Sequence, residues 1–365
     1  MEEKIICEFC GEVLDEDSMH YFDDTIMCQD CYEERTCVCD CCNDTIWNED
    51  NVGDSNITLC QACYDRHYGT CNCCGTVIYN DDIFYDDDDD RAYCQRCYEE
   101  HILNSSIKNY SYKPDPIFYG EGQPHYGIEI EIDGGGKNHD NAKTLLNIGN
   151  KDNEHIYIKH DGSLDDGMEI VSHPMTINYH LNNMCWYDIF SKALLLGYTS
   201  HQAKTCGLHI HINRSALGKS IEEQENTIGR ILYFYEKFWT EILKFSRRTE
   251  YQANRWASRY GGVLVNPKES LKSAKTAGLG RYVAVNLENH FTVEFRIFRG
   301  TLKYSTFVAT LQFTDMLVSK AKSLSDEEFQ TMTWDDFISS IGADKRNLIE
   351  YLKTRKLYIN EREEM

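Results

Sequence analysis

Three observations predict an α+β chain in two parts. Paired cysteines recur every 32 residues over the first hundred positions. Beyond them, three segments alternate apolar and polar residues with the period of a half-buried strand. Around those segments, apolar residues fall at helical spacing. The first part therefore reads as small metal-stapled units, and the second as a sheet packed with helices.

The repeat comes first. Cys7 and Cys10 are answered by Cys28 and Cys31, Cys39 and Cys42 by Cys60 and Cys63, and Cys71 and Cys74 by Cys94 and Cys97. The intervening stretches are 17, 17 and 19 residues, room for a hairpin or two, and Tyr32, Tyr64 and Tyr98 follow the closing pairs. Fifteen of the 17 cysteines precede residue 98, and the start MEEKII is acidic and short of apolar residues. A reducing cytoplasmic setting and metal thiolates are expected rather than disulfides. Two Cys-x-x-Cys knuckles close a tetrahedral zinc site, so three structural zinc ions are predicted, none with an open position. Cys37, Cys41 and Cys73 are surplus thiols, and the run Asp86–Asp90 reads as a solvated loop rather than a calcium site. The units resemble the second half of a LIM domain, most closely at Tyr93-Cys-Gln-Arg-Cys-Tyr98, without its histidine-bearing first half. That resemblance implies treble-clef zinc units that bind protein.

Charge divides the chain at the same place. Residues 1–101 carry 27 acids against 5 bases, and residues 102–365 carry 33 against 32. Phosphate contacts dominate nucleic-acid affinity, so the acidic part disfavours nucleic acid and favours a basic protein partner. No apolar run reaches the ~18 residues of a membrane span. Pro114, Pro116 and Pro124 mark residues 102–124 as an extended linker. The second domain is then 125–365.

Its elements follow in order. Gly127–Asp133 alternates strictly: Ile128, Ile130 and Ile132 face a core, and Glu129, Glu131 and Asp133 share the other face. Crowded carboxylates repel unless solvated, protonated or neutralised by a cation. A wet sheet face is the plain alternative. A Gly134–Gly136 turn and a helical stretch come next, then strand, turn and strand over 159–172 with Glu169 between Met168 and Ile170. A helix over 176–196 is predicted to pack through Leu181, Met184, Ile189, Leu194 and Leu195. In Cys206–Asn213, His209 and His211 share the face opposite Leu208, Ile210 and Ile212, and can reach a cation or a phosphate. Ser220 with Glu223 reads as a capping box opening a long helix, Ile228 to Ile242. A short strand, Arg281–Leu287, carries Asn286. In Thr292–Arg299, Glu294 and Arg296 lie opposite Val293, Phe295 and Ile297, with Arg299 at the end. Residues 303–365 read mainly as helices with a charged tail.

Each polar-faced strand alone has an ordinary reading. Together they supply acids suited to magnesium or manganese, and arginines suited to phosphate or carboxylate. The order G-x-E-x-E, D-G-S…E-I-V-S-x-P, C-G-L-H-I-H and R…V-N…T-V-E-F-R…G-T resembles the phage and fungal-type amidoligases over roughly 125–302. That family is similar to glutamine synthetase and glutamate–cysteine ligase. The resemblance implies a curved antiparallel sheet holding ATP and two or more magnesium or manganese ions. Glu131 and Glu169 would hold one ion, and Glu129, His209 and Glu294 another. His211 would approach the nucleotide, and Arg281, Arg296 and Arg299 would contact phosphates or substrate carboxylate. It further implies an amide-forming ligase joining a small-molecule or peptide carboxylate to an amine through an acyl phosphate. Glutamine synthetase has a glutamate pair where this chain offers Glu169 alone, with Asp161 or Asp165 as the nearest substitute. Arg247, Arg248 and Arg259 are further contact candidates. Two rivals remain: a non-catalytic zinc-finger protein on a degenerate scaffold, and a His-x-His metallohydrolase, which leaves the T-V-E-F-R strand without a role.

Overall fold

The computed structural model describes residues 5–15, 17–85, 91–261 and 265–358, without the side chains of 101–104. The run Asp86–Asp90 and the charged tail beyond 358 lie outside the described residues. The chain divides into two compact units, Met1–Asn104 and Ser105–Met365.

In the first unit each opening knuckle sits between two short antiparallel strands, as Cys39–Cys42 does between Thr36–Val38 and Thr45–Trp47. Each closing pair enters a helix, with Cys28 and Cys60 as the N-caps of Gln29–Arg35 and Gln61–His67. The repeats are joined in series. Trp47 Nε1 donates to Asp23 Oδ2 at 2.9 Å, and Val77 N–H to Asp54 Oδ2 at 2.8 Å. Little apolar matter supports them: one core comprises Cys7, Leu14, Met27, Cys28 and Cys31, and another Cys71, Ile78, Tyr93 and Cys97.

The second unit is built on a seven-stranded sheet. Its strands are β1 (His125–Asp133), β2 (Ile156–Lys159), β3 (Gly167–Ser172), β4 (Met175–Thr176), β5 (Gly207–Asn213), β6 (Val285–Asn286) and β7 (Thr292–Arg299). The order is β2-β3-β1-β5-β7-β6, with β4 also on β1, and every pairing is antiparallel. Period-two alternation sends Ile128, Ile130, Ile132, Ile158, Met168, Ile170, Leu208, Ile210, Ile212, Val293 and Phe295 into one core. Helices supply its other half, notably α1 (His139–Gly149), α2 (Trp186–Leu195), α3 (Ile221–Lys237), α4 (Trp239–Ser246), α5 (Pro267–Thr276) and α6 (Tyr304–Ser323). A register shift between Leu208 and Ile210 marks a bulge where β5 meets β7. Among the described residues no helix is long and apolar enough to cross a membrane.

Several expected elements are shorter. The 176–196 helix is two, Ile177–Asn182 and α2. Trp186, Phe190 and Ala193 take the buried stripe, which leaves Leu194 and Leu195 at 53% and 82% exposure. The long helix after Ser220 breaks at Phe238. Ser220 accepts from Glu223 N–H as a cap should, but the Glu223 carboxylate reaches Lys219 N–H instead of returning to Ser220. Of the strand expected at 281–287, Val285–Asn286 pairs with β7, and Val283 makes a single bridge to Ser258. Of the linker expected at 102–124, residues 105–124 fall within the second unit: Ile107 is buried in its core and Tyr119 bridges Met175.

Candidate functional site

Strand register sets the polar face of the sheet. Lys159 lies opposite Glu169, and Glu169 opposite Glu131. Glu129 lies opposite His209, and His211 opposite Glu294, which faces Asn286. Five strands thus deliver four glutamates, two histidines and a lysine to one patch.

The contacts are short. His209 Nδ1 is 3.1 Å from Glu129 Oε2 and 3.6 Å from Glu294 Oε1. His211 Nε2 is 3.2 Å from Glu129 Oε1, and Lys159 Nζ is 3.2 Å from Glu169 Oε2. Glu294 is held on both oxygens: Asn286 and Asn289 donate to Oε2 at 2.8 and 3.1 Å, and Arg296 to Oε1 at 2.5 Å. Glu131 accepts Gly207 N–H.

Environment separates the carboxyls. Burial alone would raise Glu129, but His211 and His209 outweigh it and hold it well below the usual range. Burial likewise opposes Glu294, and His211 and Arg296 among its neighbours bring it below its ordinary value. Glu169 goes the other way: burial, with the Glu129 charge beside it, pushes it well up despite Lys159. Burial also raises Glu131. Lys159 would be lowered by burial, yet Glu169 and Glu129 keep it above its usual value. One sheet face therefore holds carboxyls pushed in opposite directions, the pattern found where charge is managed for chemistry.

The donor set fits hard divalent cations. One ligand atom from each of Glu129, Glu169 and His209 lies within 4.8 Å of the others, and the same holds for Glu129, His211 and Glu294. Glu169 Oε2 and His211 Nε2 are buried without an aligned hydrogen bond, although each has a charge contact at 3.2 Å. Mostly oxygen with imidazole suits magnesium or manganese better than a closed zinc site.

The cysteines fit zinc. Sulfurs of Cys10 and Cys28 are 3.7 Å apart, of Cys42 and Cys60 3.9 Å, and of Cys74 and Cys94 3.8 Å. A tetrahedron with zinc–sulfur bonds of ~2.3 Å has an edge of about 3.8 Å. Each set of four is clustered: Cys7, Cys10, Cys28 and Cys31; Cys39, Cys42, Cys60 and Cys63; Cys71, Cys74, Cys94 and Cys97. Backbone N–H of Cys10 draws the Cys7 thiol down to about 6, which favours the thiolate. Surplus Cys41 and Cys73 are exposed, and each lies beside a ligand set, near Cys63 and Cys97.

No protein-family model matches this chain, and no curated protein matches it in sequence. Among solved structures it is similar to a bifunctional glutathione synthetase from Pasteurella multocida, with a TM-score of 0.38 and 12% identity. The match covers 65% of this chain and 47% of that one. A likeness that weak defines neither fold nor activity, which rest on the residues themselves.

Of the residues singled out in the sequence, Glu129, Glu131, Glu169, His209, His211, Glu294 and Arg296 converge. Arg299 ends β7 with Nε buried and lacking a hydrogen bond, and Arg296 Nε is in the same state. Arg281 stays outside the cluster. It is exposed, donates to Tyr110 and Tyr282 hydroxyls at 2.5 and 3.0 Å, and shares the Tyr282 ring with Arg296. Asp133 is occupied by turn amides, accepting from Gly134, Asp165 and Asp166 N–H and from Thr205. Asp161, rather than Asp165, adds its charge to Glu131 and Glu169. Arg247 and Arg248 bind main-chain carbonyls at the end of β7, and Arg259 pairs with Glu236 at 2.8 Å. Arg248 also acts on Glu131 through its charge. Two members were not foreseen. Lys159 was legible, since Ile156-Tyr-Ile-Lys159 alternates like the other strands, whereas Asn289 is a loop residue with no pattern to betray it.

Proposed function

We propose that the second unit is an ATP-dependent carboxylate–amine ligase of amidoligase type, on a sheet of the glutamine synthetase kind. One observation carries this reading: Glu129, Glu131, Glu169, Glu294, His209 and His211 gather on a single sheet face, with Arg296, Arg299 and Lys159 at its border. Acids in that number need divalent cations, and cations flanked by arginine suit a polyphosphate. The sequence resemblance supplies the reaction. A substrate carboxylate takes the γ-phosphoryl group, the bond to the β-phosphate oxygen breaks, and ADP leaves. The amine then attacks the acyl carbon, the carbon–oxygen bond to phosphate breaks, and phosphate leaves as the nitrogen gives up a proton. Magnesium or manganese would offset phosphate charge, held by Glu129, Glu131, Glu169, His209 and Glu294. His211, Arg296 and Arg299 would address the phosphates, and Arg281, set among tyrosines, the substrate. The first unit would carry three zinc ions and recruit a basic protein partner or substrate through its acidic surface.

The test is ADP release with magnesium against pooled amino acids, polyamines and peptides, with product masses naming both substrates. Glu294→Gln keeps the shape of a buried side chain but loses a charge, and turnover should fall by about 100-fold or more with the fold intact. Unchanged turnover would remove Glu294 from the site. A second reading, an interaction protein on an inactive scaffold, draws on Glu294 being satisfied by its own neighbours. Calorimetry showing no binding of ATP and magnesium to zinc-loaded protein would favour it.

A further inference from the structure

Lys159 has no counterpart in the donor set of a purely metal-filled site, yet it borders one on the edge strand of the sheet. It stands on β2 directly opposite Glu169, with Nζ 3.2 Å from Glu169 Oε2, and both side chains are buried. Sinking an ammonium this deep costs free energy unless an anion compensates it, and here the anion is itself a candidate metal ligand. On the opposite side, Glu169 shares a potential ion position with Glu129 and His209. A further ion on the β2 side of Glu169 would need a second carboxylate from the facing strand. The residue at that position is a lysine.

We infer that Lys159 is a built-in cation that takes the place of one divalent ion at Glu169 and supplies its positive charge to the nucleotide phosphates. Charge balance agrees. If two divalent ions offset Glu129, Glu131, Glu169 and Glu294, then Lys159 and Arg296 would remain, among the basic groups, as positive charge for a polyphosphate. Arg296 lies over the Tyr282 ring and Lys159 faces the Tyr110 ring, so both ammonium and guanidinium are backed by aromatic faces. The inference rests on the ligase reading, since it assumes that the cluster takes metal and nucleotide.

The experiment counts manganese and measures affinity for a non-hydrolysable imido analogue of ATP, on the zinc-loaded full chain. Lys159→Met should weaken the analogue by about tenfold, the effect of losing one charge contact. Lys159→Glu, which places a second carboxylate beside Glu169, should regain affinity while binding one more manganese per chain than wild type. Wild-type affinity in Lys159→Met, or recovery in Lys159→Glu without the extra ion, overturns the inference. Should Lys159→Glu fail to fold, the Lys159→Met affinity decides alone. Wild-type protein that binds neither manganese nor analogue would instead sink the ligase reading itself.

Discussion

Gly207 shows how closely the acidic face is fitted. A Cβ there would come within 2.6 Å of His209 Nε2 and 3.1 Å of Arg248 Nη2, while the residue's own N–H is bonded to Glu131. A methyl group must push His209 away from Glu129 or move a buried guanidinium. Gly207→Ala should therefore weaken nucleotide–metal binding by about tenfold or more while costing only about 1–2 kcal/mol of stability. Calorimetric titration beside a melting curve separates the two effects, and intact binding would show that His209 is free to shift. At this scale the sequence was informative where alternation sets the face of a strand. Glu129, Glu131, Glu169, His209, His211 and Glu294 could be placed together for that reason. It misplaced Arg281 onto a strand: the strand is Val285–Asn286, and Arg281 falls outside it. The occupation of Asp133 by turn amides depended likewise on the path of 165–166, which no local pattern encodes.

Elements were legible in existence and type, and less so in length. Helix ends here follow tertiary packing: Phe238 joins α3 to α4 because both helices bury aromatic residues against one core, with Phe234 and Phe238 rings 4.8 Å apart. The sheet order was not readable, because pairing between distant strands leaves no trace in either strand alone. Helix packing also assigns a use to Gly229, in the middle of α3. There a Cβ would lie 2.6 Å from Pro267 O and 3.1 Å from Pro267 C, main-chain atoms of α5. Alanine would gain ~1 kcal/mol of helix propensity in isolation. The clash should more than reverse it, so that Gly229→Ala destabilises the second unit by about 1–3 kcal/mol. Urea denaturation checks this, and a stabilised variant would mean that α5 can retreat at little cost.

Each unit stands on a different source of stability, and each should respond to a different stress. In the second unit, His180 donates Nε2–H to Tyr126 O at 2.9 Å and accepts Trp186 Nε1–H at 3.2 Å, fully buried. Burial lowers its pKa from 6.5 to about 4. The folded unit thus refuses a proton that the unfolded chain accepts. The contribution of neutral His180 is complete above pH 6.5 and is lost as pH falls from there through 4, about 3 kcal/mol in all. His180→Gln should be less stable at neutral pH but lose less on acidification, and an unchanged slope of urea midpoint against pH would rule out this histidine as the cause. The first unit should be insensitive to that substitution and sensitive to chelation. Its cores consist largely of the cysteines themselves, and four thiols without an ion leave too little apolar burial for repeats of 32 residues. Elemental analysis should find three zinc ions per chain. Their removal should open the segment before residue 105 to protease while a fragment from about 105 onward persists, because its core of isoleucines and aromatics contains no metal ligand. Trp47, the only tryptophan before residue 105, packs on Phe22 with ring centroids 5.0 Å apart and reports the same event by fluorescence. Survival of the first unit without zinc would show that its joined hairpins, rather than the ions, hold it together.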